Sequence, residues 1–100
     1  MAWEKVSLFK TFQRQKRVVF KQGRTNVVIF AVGIDIWAVE NRCPHQGFPL
    51  DDGILDEKTC VLTCNRHFWE FNLKTGDGLT GGFLPTYRTK VEEDYLWVEV

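Results

Sequence analysis

The sequence predicts an all-β fold of small antiparallel sheets, sandwich- or barrel-like, built as a single domain over residues 1–100. Three observations carry that expectation. β-Branched and aromatic residues crowd into short runs, turn residues separate those runs at intervals of about eight to twelve positions, and no stretch sustains the 3.6-residue period of a long helix. A chain of 100 residues can bury roughly 65% of its unfolded surface, enough for one modest core and no second one.

Taken in order, residues 3–17 are the best helix candidate, but their apolar positions are sparse and irregular, so at most a short turn is expected there. Residues 17–21 (Val18, Val19, Phe20) read as a strand, and Gln22-Gly23-Arg24-Thr25 turns it into a second run over 26–32. Gly33 and Asp35 punctuate before a third at 36–39. Further runs occupy 59–63, 68–72, 86–92 and 95–100. Within the run that leads to Cys64, alternation puts Cys60 and Leu62 on one inward face, which makes Cys60 a buried, inert thiol. The glycine-rich stretch 76–82 superficially resembles a phosphate loop. It lacks the Lys-Ser/Thr ending and no helix pattern follows, so it is read as turn chemistry.

Charge and composition narrow the function. The chain has 13 basic and 13 acidic residues, yet residues 1–24 carry seven bases against Glu4 alone, leaving +6 there and −6 over the remainder. No nucleic-acid-binding module accompanies these bases, so they are read as a solvated face and not a nucleic-acid surface. No apolar run approaches membrane length, and Ala2-Trp3-Glu4-Lys5 lacks the layout of a secretory leader. The expectation is a soluble cytoplasmic monomer with no membrane association. Asp51, Asp52, Asp56 and Glu57 form an acidic patch in sequence, read as a solvated turn with partner docking as the sharper alternative.

Three cysteines do not make an even disulfide set. Two of them instead stand beside the only two histidines, in Cys43-Pro44-His45 and Cys64-Asn65-Arg66-His67. In an all-β chain both segments fall in loops at strand ends, about residues 42–50 and 63–69, and loops at one end of a sandwich can converge. Thiolate and imidazole donors two or three residues apart reach one soft metal site from a tight turn. Pro44 stiffens the first loop. Cys43, His45, Cys64 and His67 are therefore the candidate metal ligands. As a Cys₂His₂ set they would suit tetrahedral zinc, although each loop carries one donor of each kind and no helix is available, unlike a zinc finger. A 2Fe–2S cluster with both thiolates on one iron and both imidazoles on the other accounts for that distribution better.

The arrangement Cys-x-His, spacer, Cys-x-x-His resembles the Rieske family, and the similarity extends through Gln46-Gly47, Pro49 to Gly53, Trp69, Phe71, Leu73, Thr75, Gly76 and the tail from Pro85. The resemblance implies three small antiparallel sheets with a cluster-binding subdomain at one tip, and one Rieske-type 2Fe-2S cluster per chain. The spacer from His45 to Cys64 is 18 residues, slightly long for the family, with the extra length expected at Asp56-Glu57-Lys58. Phe68 stands where most members have glycine. That departure, with Trp69 and Asn72, is similar to ferredoxin components of multicomponent toluene monooxygenases. Phe48 and Arg66 occupy the two positions at which high-potential members carry a loop-to-loop disulfide, so none is expected here.

The resemblance implies a soluble one-electron carrier with no catalysis of its own, taking electrons from an NAD(P)H-dependent flavin reductase and passing them to a terminal oxygenase, a dioxygenase-type partner. Trp69 and Phe71 replace the hydroxyl side chains of high-potential members, which places the expected potential near the low end of the Rieske range, about −150 mV. Two alternatives stay open at this point: a small Rieske subunit of another redox enzyme, of nitrite reductase type, and a zinc-stabilised β interaction domain.

Overall fold

A computed structural model describes residues 2–44 and 46–100. Its described elements are strands β1 (Trp3–Leu8), β2 (Arg17–Gln22), β3 (Thr25–Val32), β4 (Asp35–Glu40), β5 (Ile54–Asp56), β6 (Val61–Thr63), β7 (Glu70–Asn72), β8 (Thr86–Tyr87), β9 (Thr89–Glu92) and β10 (Tyr95–Glu99), with one helix, α1 (Phe9–Gln15). All pairings are antiparallel, in three sheets ordered β1-β10-β9, β2-β3-β4-β8 and β5-β6-β7.

β3 organises the interior. Its four consecutive residues Val27, Val28, Ile29 and Phe30 are all fully buried, which a strand tolerates only when both of its faces are covered. Side chains alternate across the pleat. Val27 and Ile29 pack with Phe12, Ala38, Leu96 and Val98, between the first two sheets. Val28 and Phe30 pack on the opposite face with Val39, Cys43, Leu50, Leu62, Cys64, Phe71 and Leu84. Each such side chain contributes about 1.5–3 kcal/mol of burial. One strand thus serves two cores, and the second contains both candidate cysteine ligands.

The first sixteen residues depart from the expectation of at most a short turn. β1 pairs with β10, Trp3 opposite Glu99 and Lys5 opposite Trp97, and α1 follows directly. Phe12 is the fully buried residue of this helix. The N–H of Phe9 is satisfied by the Asp94 carbonyl at 2.9 Å, and the other end closes with Lys16 in the left-handed region (φ 69°), its N–H donating to the Phe12 carbonyl. Two turns around one buried phenylalanine generate no periodic signal, and a strand whose partner lies some ninety residues away cannot be recognised locally. Part of the basic N-terminal quarter is structural. The Lys5 ammonium sits 4.2 Å from the Tyr95 ring centroid, and the Arg17 guanidinium sits 4.8 Å from that of Phe30.

Register in the third sheet brings the loops together. Ile54 lies opposite Thr63, and Thr63 lies opposite Glu70. Gly53, Cys64 and Trp69 therefore emerge from the same end of β5-β6-β7. The opposite end carries the turn from Glu57 to Cys60, where the Asp56 carboxylate accepts the Lys58 N–H at 2.9 Å. The spacer between the two loops thus turns at this remote end, where Asp56-Glu57-Lys58 lie. Among the described residues no helix is long and apolar enough to cross a membrane.

Candidate metal centre

The first candidate loop leaves β4 and the second joins β6 to β7, and the two are closed in the same way. The Cys43 N–H donates to the Phe48 carbonyl (2.8 Å) and the Cys43 carbonyl accepts from Gly47 (2.7 Å). The Cys64 N–H donates to the Trp69 carbonyl (2.8 Å) and the Cys64 carbonyl accepts from Phe68 (2.9 Å). In both loops the fourth residue after the cysteine has positive φ, 77° at Gly47 and 60° at Phe68. The first loop meets this demand with glycine, the second with a bulky L-residue that rarely adopts it.

Both cysteines on these loops are fully buried in one apolar cluster, while His67 is exposed. Its ring lies 5.6 Å from that of Phe48, tilted by 47°, and the Arg66 guanidinium lies 5.0 Å over the Phe48 ring. The fourth candidate, His45, lies outside the described residues. A third segment leans on both loops: a Cβ built at Gly82 would meet Pro44 at 3.5 Å and Trp69 at 3.6 Å. The glycine-rich stretch is turn structure, as expected. A Cβ at Gly76 or Gly78 would lie about 2 Å from a backbone carbonyl oxygen, so only glycine fits these crossings.

The first loop is also braced from outside, in a way the sequence did not reveal. Asn41 is 5% exposed; its carbonyl oxygen accepts the Leu50 N–H at 2.7 Å and its amide donates to Asn26 (3.2 Å) and Asp51 (3.3 Å). Arg17 stacks over Phe30 at 4.8 Å and donates to the carbonyls of Asp51 (2.8 Å) and Gly53 (2.9 Å). Asn41 could have been suspected as an amide wedged between a strand and a ligand loop. Arg17 offered no signal, because its partners lie more than thirty residues away.

Two sequence expectations need correction. Cys60 is not in a strand: it closes the β5–β6 turn with φ 59° and donates its N–H to the Asp56 carbonyl at 2.8 Å. It is nevertheless buried with Leu62, as alternation implied. Burial pushes its thiol pKa up, with Asp35 adding to that and Lys74 opposing it. The acidic patch is also divided. Asp52 lies at the loop end, where Asn65 donates to it at 3.5 Å, whereas Asp56 and Glu57 lie at the far turn. The three residues of β5 carry the chain from one end of the sheet to the other.

The donor chemistry suits a two-iron cluster: two buried thiols supply soft anionic ligands away from water, and an imidazole lies nearer the surface. None of the three cysteines is in a disulfide. Among the described residues, which leave out His45, no three His, Cys, Asp or Glu side chains gather as a single-ion site. A bridged pair of irons requires two protein donors at each iron, not three at one.

The architecture defines a class: a small antiparallel β-protein in which two closed Cys–His loops stand on a third sheet. Residues 2–87 match the Rieske [2Fe-2S] domain. The chain belongs to that family, and the cofactor of the family is a Rieske-type 2Fe-2S cluster. It is 38% identical over 73 residues (70% of this chain) to the methanesulfonate monooxygenase ferredoxin subunit of Methylosulfonomonas methylovora, and the match spans 58% of that relative's length. It is 30% identical over 77 residues, 74% of this chain and 72% of the relative, to the 3-phenylpropionate/cinnamic acid dioxygenase ferredoxin subunit of Shigella boydii. Among solved structures it is similar to a chain from the complex of reduced oxygenase and oxidized ferredoxin in carbazole 1,9a-dioxygenase, with TM-score 0.86, 26% identity, and coverage of 96% of this chain and 91% of that one.

Proposed function

We propose that this chain is a ferredoxin: a one-electron carrier that accepts electrons from an NAD(P)H-dependent flavin reductase and delivers them to a terminal oxygenase. The observation that carries this reading is the pair of identically closed loops, each closed on a buried cysteine and brought to the same end of the third sheet. The ferredoxin-subunit relatives and the oxygenase–ferredoxin complex support the partner assignment. Cys43 and Cys64 would hold one iron, and His45 and His67 the other. When bound, the cluster supplies reversible one-electron redox chemistry.

The residues of the chain do the rest. Leu50, Leu62, Phe71 and Leu84 surround the two cysteines and keep water from the thiolates. The exposed His67 carries its imidazole to the surface, where a docked partner would approach it. Phe68 is 65% exposed on the second loop and Phe83 58% exposed beside Gly82, so the surroundings offer apolar area to that partner.

Anaerobic reconstitution with iron and sulfide tests the reading. Two irons and two sulfides per chain, with nitrogen couplings in the reduced-state EPR signal, are expected. A colourless protein with stoichiometric zinc would overturn it. Turnover of a terminal oxygenase encoded beside this gene, supported by the reduced protein, tests the partner, and failure there would return the chain to another redox assembly.

A further inference from the structure

We propose that Phe48 and Arg66 form a clasp that joins the two ligand loops and fixes the plane of the His67 ring. The proposal deepens the cluster-binding reading above, since it makes both side chains positioning residues for a ligand. Each loop is closed only within itself by the backbone bonds at Cys43 and Cys64, so those bonds leave the distance and angle between the loops unset. Phe48 spans that gap. Its carbonyl closes the first loop on Cys43, while its ring reaches the second loop and lies 5.6 Å from the His67 ring. The Arg66 guanidinium of the second loop lies over the same Phe48 ring at 5.0 Å. One ring from the first loop thus meets both a guanidinium and an imidazole of the second.

Physics favours both contacts. The face of the phenyl ring is electron-rich and attracts the cation, and a tilted aromatic pair at under 7 Å is an attractive geometry. Arginine suits this contact because its flat, weakly hydrated guanidinium stacks where a lysine ammonium stays solvated. Arg66 is itself exposed, so the clasp is a modest restraint that acts on orientation more than on fold.

The test uses the full-length reconstituted protein with Phe48→Leu, Arg66→Gln, Arg66→Lys and the Phe48→Leu/Arg66→Gln double variant. Cluster loss to a chelator, followed by visible absorbance, is expected to be roughly two- to fivefold faster in each of Phe48→Leu and Arg66→Gln, the factor corresponding to an exposed cation–π contact. The double variant is expected to be no faster than the quicker single one, because both remove the same clasp. Arg66→Lys is expected to fall between wild type and Arg66→Gln. Pulsed EPR of the reduced protein should show a changed nitrogen coupling in both single variants, which general destabilisation would not produce. Multiplicative effects in the double variant, or unchanged couplings, would overturn the clasp. If the wild-type chain takes up no cluster, the functional reading fails. The clasp is then judged in the metal-free chain, where Phe48→Leu and Arg66→Gln must both shift the His67 ring protons in NMR, and no shift from Arg66→Gln would overturn it.

Discussion

The two candidate ligand loops share a hydrogen-bonding plan and differ in how they are supported. Each runs from a buried cysteine to an aromatic residue five positions on whose carbonyl closes the loop, and each needs one residue of positive φ just before that closure. The first loop meets the need with Gly47 and is braced from behind by Asn41 and Arg17. The second relies on Phe68, a strained and exposed residue, and on direct suspension between β6 and β7. One backbone solution can thus be held either by polar braces from behind or chiefly by the ends of two strands. Where strands hold it, a side chain can tolerate an unfavourable conformation in exchange for presenting an aromatic ring to solvent.

That comparison can be broken most severely at the cysteines. If the loops are equivalent as ligand carriers, Cys43→Ser and Cys64→Ser should each abolish cluster incorporation, measured as iron and sulfide per chain; full incorporation in either variant would end the equivalence. His67→Cys should leave a cluster in place and lower its midpoint potential, since an anionic ligand replaces a neutral one. An unchanged potential would count against ligation by His67.

The braces give the next largest effect. Asn41→Ala leaves the Leu50 N–H buried without its acceptor, a loss of about 1–3 kcal/mol, seen as a lower urea midpoint at unchanged slope. A loss below about 0.5 kcal/mol would mean that water or a neighbour replaces the amide. The positive-φ pair gives opposite signs. Gly47→Ala should cost about 1–2 kcal/mol, because the left-handed region penalises a Cβ and Arg42 already lies 3.2 Å from where that Cβ would sit. Phe68→Gly should gain about 0.5–1 kcal/mol, the relief of strain less the added freedom of the unfolded chain. Destabilisation by Phe68→Gly would show that its side chain is held by packing.

The smallest effect comes from the thiol at the other end of the sheet. Cys60 has a raised pKa in the folded state, so the folded chain keeps its proton where the unfolded chain has begun to lose it. Its stabilising contribution is complete below the unfolded thiol pKa of about 8.5 and declines as pH rises through the folded value. Cys60→Ala should flatten the fall in stability just above that pH, while Tyr87, also raised by burial and by Glu40, keeps its own decline at higher pH. An unaltered alkaline slope in Cys60→Ala would remove Cys60 as its source.

What the sequence disclosed follows from the distance over which each feature is encoded. The donor pairs were legible because each places two metal-binding side chains within three positions of one another, and the strand runs were legible because β-branched alternation is local. β1 escaped because its partner is the last strand, α1 because a single buried phenylalanine defines it, and β5 because three residues carry too little pattern. The arrangement of Phe48 and Arg66 was invisible for a different reason. Nothing in either loop states how far it lies from the other, and the register of the third sheet, far from both in sequence pattern, brings them together.

The hold of Arg17 on Asp51 and Gly53 has a mechanical consequence. β2, which carries this arginine, is the outermost strand of its sheet, and outermost strands are the first to open in thermal fluctuations. Each such opening slackens a tether that ends beside the first ligand loop. Fraying of that edge is thereby felt at the candidate cluster site, and the protein should lose its iron by opening at a margin before its centre gives way.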